Sequence, residues 1–242
     1  MNKINPYLLI CSICIASGIG WSHEARCQNT DEIDFQLWGN YALTIPVTDN
    51  FSYGGDVGIR GLISNEEWNQ VLIRPTATYR FNQKFAVAGA MAWFGTFNIE
   101  ESNVNEFRLH QDFNASWPDF GYVEMFYRVR IEERWFFYET MPNEFNIRTR
   151  YLIGAESADL TFLGHKRPIY FQVIFEGFKT LGSESASELF INQTRGHVAF
   201  GHRLTEKVRY ELHYIIQKSR QFEDTGLRTS QNIFRIRWYH RL

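Results

Sequence analysis

The 242-residue chain carries 25 Lys and Arg against 27 Asp and Glu, for a net charge of −2, and 17% of its residues are aromatic. That length is typical of one domain, and the near-neutral balance supplies no basic field of the kind that gathers nucleic acid. Mean hydropathy is negative, at −0.33, and no run of about 18 apolar residues follows the N-terminal region, so the sequence excludes a helical membrane protein.

Residues 1–27 read as a signal peptide, with Lys3 as the positive charge and Tyr7 to Ile19 as a short apolar core. Ala25-Arg26-Cys27 is a small-x-small cleavage site that would leave Gln28 first, and a cut near Gly18 to Gly20 is the alternative. Arg26 sits where a lipobox wants a small residue, which argues against lipidation of Cys27. All three cysteines, Cys11, Cys14 and Cys27, fall in this segment. The mature chain, residues 28–242, then has no disulfide, thiolate metal site or cysteine nucleophile.

From Ile33 onward, apolar side chains recur at every second position in about eleven segments separated by turn residues. A strand with one face toward an apolar phase and one toward a polar phase has this period of two. The first segment, Ile33 to Ile45, places Phe35, Leu37, Gly39, Tyr41 and Leu43 on one face. Phe51 to Ile63 follows a turn at Pro46 to Asn50, and its Gly54-Gly55 pair lies inside the strand, where glycine marks a bulge or bend. The third segment alternates Val71, Ile73, Ala77 and Tyr79 with Gln70, Arg74, Thr76 and Arg80, imperfectly at Leu72. In Phe85 to Phe97, Ala86, Ala88, Ala90 and Ala92 share a face, as small inward residues of a narrow barrel would.

The middle of the chain is the most heavily charged. Phe107, Leu109 and Phe113 alternate with Glu106, Arg108, His110 and Asp112. After the turn at Pro118 to Gly121, Val129, Ile131 and Trp135 alternate with Glu124, Arg128, Arg130, Glu132 and Arg134. Later segments carry Arg148 and Arg150 (Phe145 to about Phe162), Glu176 (Ile169 to Leu181), Arg195 and His197 (Leu189 to Leu204), and Glu211 and His213 (Val208 to Ser219). The last, Gln231 to Leu242, alternates Phe234, Ile236, Trp238, His240 and Leu242 with Arg235, Arg237, Tyr239 and Arg241. It has the form of the C-terminal signal that barrel-assembly machinery reads, with Leu in place of the common Phe.

These features predict an all-β, antiparallel, up-and-down transmembrane β-barrel. Eleven segments is an odd count, and bacterial barrels are even-numbered, so ten or twelve strands are expected, twelve preferred. Connectors near 46–50, 82–84, 118–121, 164–168 and 205–207 are short, and most of those between them are longer and more polar. That is the asymmetry of periplasmic turns and outer loops. Trp68, Trp117, Trp135 and Trp238 lie near segment ends, where interface girdles form. Outer-membrane lipid and lipopolysaccharide, and the assembly machinery, are the expected partners.

The mature chain resembles the bacterial family catalogued as domain of unknown function 2490, common in Bacteroidetes. The resemblance rests on Leu37-Trp38-Gly39, the Arg-rich Arg128-Val129-Arg130-Ile131-Glu132-Glu133-Arg134 strand and Arg148-Thr149-Arg150-Tyr151. It continues through Gln193-Thr194-Arg195, Gly201-His202-Arg203-Leu204 and His213-Tyr214-Ile215-Ile216-Gln217. Thr194 and His213 stand where the family pattern would have Asn and Gly. The resemblance implies an outer-membrane barrel of no known activity.

The polar face gathers Glu106, Arg108, His110, Asp112, Glu124, Arg128, Arg130, Glu132, Arg134, Arg148, Arg150, Glu176, Arg195 and His197. In one lumen these would form a mutually satisfied ion network, because an unpaired buried charge is costly. The same Arg-rich face would favour anions at a constriction. The expected function is therefore structural, or the passage of small solutes through a narrow charged lumen. The alternatives are a membrane hydrolase, for which no serine has a surrounding motif, and a soluble periplasmic ligand-binding barrel, against which the apolar exterior argues. No metal motif and no cofactor signature is present.

Overall fold

The computed structural model describes residues 34–63, 68–98, 102–161, 167–181, 191–220 and 227–242. The expected signal peptide, residues 1–27, lies outside them. The described residues contain eleven strands. They are β1 (Asp34–Pro46), β2 (Phe51–Leu62), β3 (Trp68–Arg80), β4 (Phe85–Asn98), β5 (Val104–Asp119), β6 (Val123–Tyr138), β7 (Glu144–Ser157), β8 (Ile169–Leu181), β9 (Ile191–Arg203), β10 (Val208–Arg220) and β11 (Leu227–Arg241). Consecutive strands pair antiparallel, and β1 closes on β11 to make a barrel.

The eleven alternating segments are thus the eleven strands, and the preference for an even number gives way. An odd meander reverses direction ten times, so its first and last strands run the same way. Closure must then be parallel, and β1 does pair with β11 in parallel, with Asp34 opposite Gln231 and Thr44 opposite Arg241. The long segment from Phe145 resolves into β7, which stops at Ser157, followed by an isolated bridge between Leu160 and Ile169.

The short turns repeat one device. Thr48, Asn82 and Thr205 each accept hydrogen bonds through a side-chain oxygen from the backbone N–H groups two and three residues on. Asp119 accepts one from Gly121 at 2.7 Å. Such side chains mimic the missing backbone partner of a tight turn. These turns share one rim with the C-terminus, and the connectors of the other rim include segments outside the described residues.

Alternation sorts the side chains. Outward stand Leu37, Val57, Ile59, Ile73, Met91, Leu109, Val129, Ile131, Val198, Leu212 and Ile236, all exposed, with Ile59 at 66% and Met91 at 64%. Aromatics flank this aliphatic band. Tyr53, Tyr79, Phe85, Trp117 and Trp238 lie toward the turn rim, and Phe35, Phe97, Phe107, Phe137 and Phe145 toward the other. Inward stand the charged residues together with the small face of β4, where Ala90 and Ala92 are buried. Leu72, the irregular position, also points inward and packs with Ala92 and Phe94.

Two inward glycines accommodate aromatic rings. Gly154 lies opposite Phe126, and Gly201 opposite Tyr170, and a Cβ at either would run into the ring. Gly55 has φ of 139°, and a Cβ there would meet the Arg74 backbone, so the position requires glycine, while the register of β2 with β1 and β3 runs through it without a bulge.

Candidate functional site

Neighbouring strands put opposite charges at facing inward positions. Asp112 of β5 faces Arg130 of β6, and the guanidinium grips the carboxylate through two bonds of 2.5 and 2.7 Å. Asp56 of β2 faces Arg74 of β3 with the same geometry, at 2.6 and 2.8 Å. Glu106 receives Arg134 at 2.6 Å and Arg108 at 2.5 Å. Glu132 receives Arg148 at 2.6 Å and Arg150 at 2.9 Å, with Arg130 at 3.6 Å. Glu176 receives Arg150 at 2.7 Å, Arg128 at 2.8 Å and Arg195 at 3.7 Å. Planar forks against carboxylates at this spacing are strong, directional contacts.

Eleven of the fourteen expected residues therefore join in ion pairs. The other three differ. Glu124 is exposed near the turn rim. His110 and His197 point inward and are buried, but His110 Nδ1 and both ring nitrogens of His197 have no hydrogen-bond partner.

A second feature runs across the barrel rather than around it. Arginine and aromatic groups alternate in a stack. Arg108 lies 3.8 Å over the Phe94 ring, and Arg60 lies 5.6 Å from Phe94 and 4.3 Å from Trp38. Arg195 lies 5.2 Å from Trp38 and 4.5 Å from Phe178, and Arg150 lies 4.5 Å from the same Phe178. Guanidinium planes over aromatic faces gain from the ring quadrupole, more so when water is excluded. These residues lie toward the long-connector end of their strands. The stack crosses the lumen there from β5 through β4, β2 and β1 to β9, β8 and β7.

Toward the turn rim the polar interior mixes acidic, phenolic and arginine side chains. Glu211 accepts from the Tyr170 hydroxyl at 2.7 Å and the Tyr239 hydroxyl at 2.9 Å, and His213 lies 3.0 Å away. Beyond it a cavity of about 350 Å³ opens between the β1–β2 turn, the β9–β10 turn and the end of β11, lined by Arg80, Arg203, Arg209 and Arg241 among others.

The chain matches the family described as "Protein of unknown function (DUF2490)" over residues 35–228. It belongs to that family. The match runs from β1 through β10 to the first two residues of β11, so it takes in ten strands and the charged residues they place in the lumen. No curated protein and no solved structure matches the chain.

In this DUF2490 barrel, sequence reasoning missed Asp56 and Arg74 as a pair, the partners of Glu211, and the aromatic members Trp38, Phe94 and Phe178. Asp56 and Arg74 were readable, since both fall on the polar parity of adjacent segments. The stack was not, because it reaches across the lumen between strands that are not neighbours, β2 with β4 and β1 with β9. Among the described residues no serine or threonine hydroxyl is bonded to a histidine, so the hydrolase alternative gains no support, and no cluster of metal ligands is present among them.

Proposed function

We propose that this protein is an outer-membrane barrel whose narrow lumen is closed to bulk solutes by its ion network and Arg–aromatic stack, and admits small anions at most. The exterior carries the reading. An exposed aliphatic band between two aromatic belts is what a bilayer's hydrocarbon layer and its interfaces would cover, and a soluble barrel would not stay dispersed with it. The anion preference follows from the stack, where Arg60 and Arg195 sit among rings rather than in tight carboxylate pairs.

Fractionation and reconstitution test this. The mature protein should pellet with outer membranes, migrate faster on gels unheated than boiled, and give planar bilayers with no large, steady conductance. Recovery as a soluble periplasmic monomer would refute the membrane assignment, and porin-sized steady openings would refute the closed lumen.

A further inference from the structure

The positive charge of the stack is not matched by close carboxylates throughout: Arg108 and Arg150 bond carboxylates directly, and Arg60 and Arg195 do not. Among the described residues Arg60 donates one hydrogen bond, to Gln70 at 3.2 Å, and lies over the rings of Trp38 and Phe94. Its Nε is buried with no partner. The charges acting most strongly on it belong to Arg195, Arg108, Arg74 and Arg150, all of the same sign. Arg235, opposite Trp38 on the other side of β1, repeats the pattern. It bonds His213 at 3.0 Å, and its Nε too is buried and unpartnered. Arg195 binds two neutral amides, Gln217 at 2.5 Å and Gln193 at 3.1 Å, and reaches Glu176 only at 3.7 Å.

Three arginines thus surround Trp38, one stacked on each of two approaches and one as its parallel cross-strand neighbour. A guanidinium cannot shed its proton, so burial without a closely bonded carboxylate is costly, and among the described residues only Arg195 of the three has a carboxylate within 4 Å, Glu176 at 3.7 Å. The unmet need is for an acceptor carrying negative charge. His197, with both ring nitrogens unpartnered, is a cross-strand relative of this cluster through Ile215 and Ile233, which pack with Trp38.

We propose that the lumen holds a small oxyanion, a phosphate group, among Arg60, Arg195 and Arg235 beside Trp38. Forked N–H donors match the geometry of phosphate oxygens. The phosphate belongs either to a free ion or to a small phosphorylated solute. This deepens the reading of an anion-favouring lumen, yet it stands apart from the membrane assignment, since the refolded protein in detergent binds or does not bind wherever it resides in the cell.

The test is calorimetric titration of the refolded, detergent-solubilised protein with inorganic phosphate and, separately, with glucose 6-phosphate, at matched ionic strength in chloride. Saturable binding of one of the two is expected, and which one distinguishes a free ion from a phosphorylated solute. Arg60→Gln and Arg235→Gln should each weaken it by about tenfold or more, the loss of a charge-assisted hydrogen bond. Arg203→Gln, at the turn rim and paired with Glu156 and Asp159, should leave it unchanged. Heat-modifiable migration verifies that each variant has folded. If Arg60→Gln does not fold, Arg235→Gln and the wild-type titration still decide. Absence of saturable binding of both ligands by the wild-type protein overturns the proposal, as does binding that neither folded arginine variant weakens.

Discussion

Glu132 is the most enclosed carboxylate of the network, 1% exposed, with Arg148 and Arg150 both within 2.9 Å. Removing its charge takes a carboxylate from both, although Arg150 keeps Glu176 at 2.7 Å. Glu132→Gln should therefore destabilise the barrel by about 3–5 kcal/mol, measured as a lower urea midpoint for the refolded protein. Gly201 makes a contrasting point about shape. The Tyr170 ring occupies the space its Cβ would need, and the Tyr170 hydroxyl is anchored on Glu211. Gly201→Ala should cost about 1–3 kcal/mol through overpacking, seen as a reduced melting temperature. At this scale the sequence was half legible. Parity alone put Asp112 and Arg130, or Glu132 and Arg148, on one face, because strand side chains alternate strictly. It gave no sign that Arg60 and Arg195 would meet over Trp38, since that contact depends on which strands closure brings together.

Among the elements, β8 appears over the same residues, Ile169–Leu181, that alternation marked out, because turn residues bound it cleanly on both sides. β7 was overextended, since apolar residues continue past Ser157 into the bridge at Leu160. The strand number was readable by counting, and the even-number rule pulled the expectation away from it. What alternation cannot carry is the partner of the first strand. That pairing can be checked chemically, because all three cysteines lie within the first 27 residues and the barrel offers a clean background. Leu37→Cys with Phe234→Cys, opposite each other across β1 and β11, should crosslink on oxidation. Leu37→Cys with Trp238→Cys, four residues out of register, should not. Crosslinking of the second pair in preference to the first would mean a different closure. Within β2, the positive φ of Gly55 predicts that Gly55→Ala lowers the yield of refolded protein, scored by gel migration.

For the molecule as a whole, class and outline were legible from the apolar exterior and the alternation of short and long connectors. The way the interior is filled was not, because that depends on how long side chains meet across a lumen whose width follows from closure. In an outer membrane with its turns facing the periplasm, an epitope inserted after Gln83 should be hidden in intact cells, and one inserted after Pro142 should bind antibody, with both detected after permeabilisation. The reverse labelling would invert the orientation. The odd strand count has a mechanical side as well. Each strand from β2 to β10 is tied by chain to both of its neighbours and held by antiparallel ladders, whereas β1 and β11 share a single parallel ladder and no connecting turn. Parallel pairing is slightly weaker per residue. That line is where the cylinder should unzip first under load, with the outer amides of β1 and β11 exchanging hydrogen for deuterium ahead of those in β5 and β6.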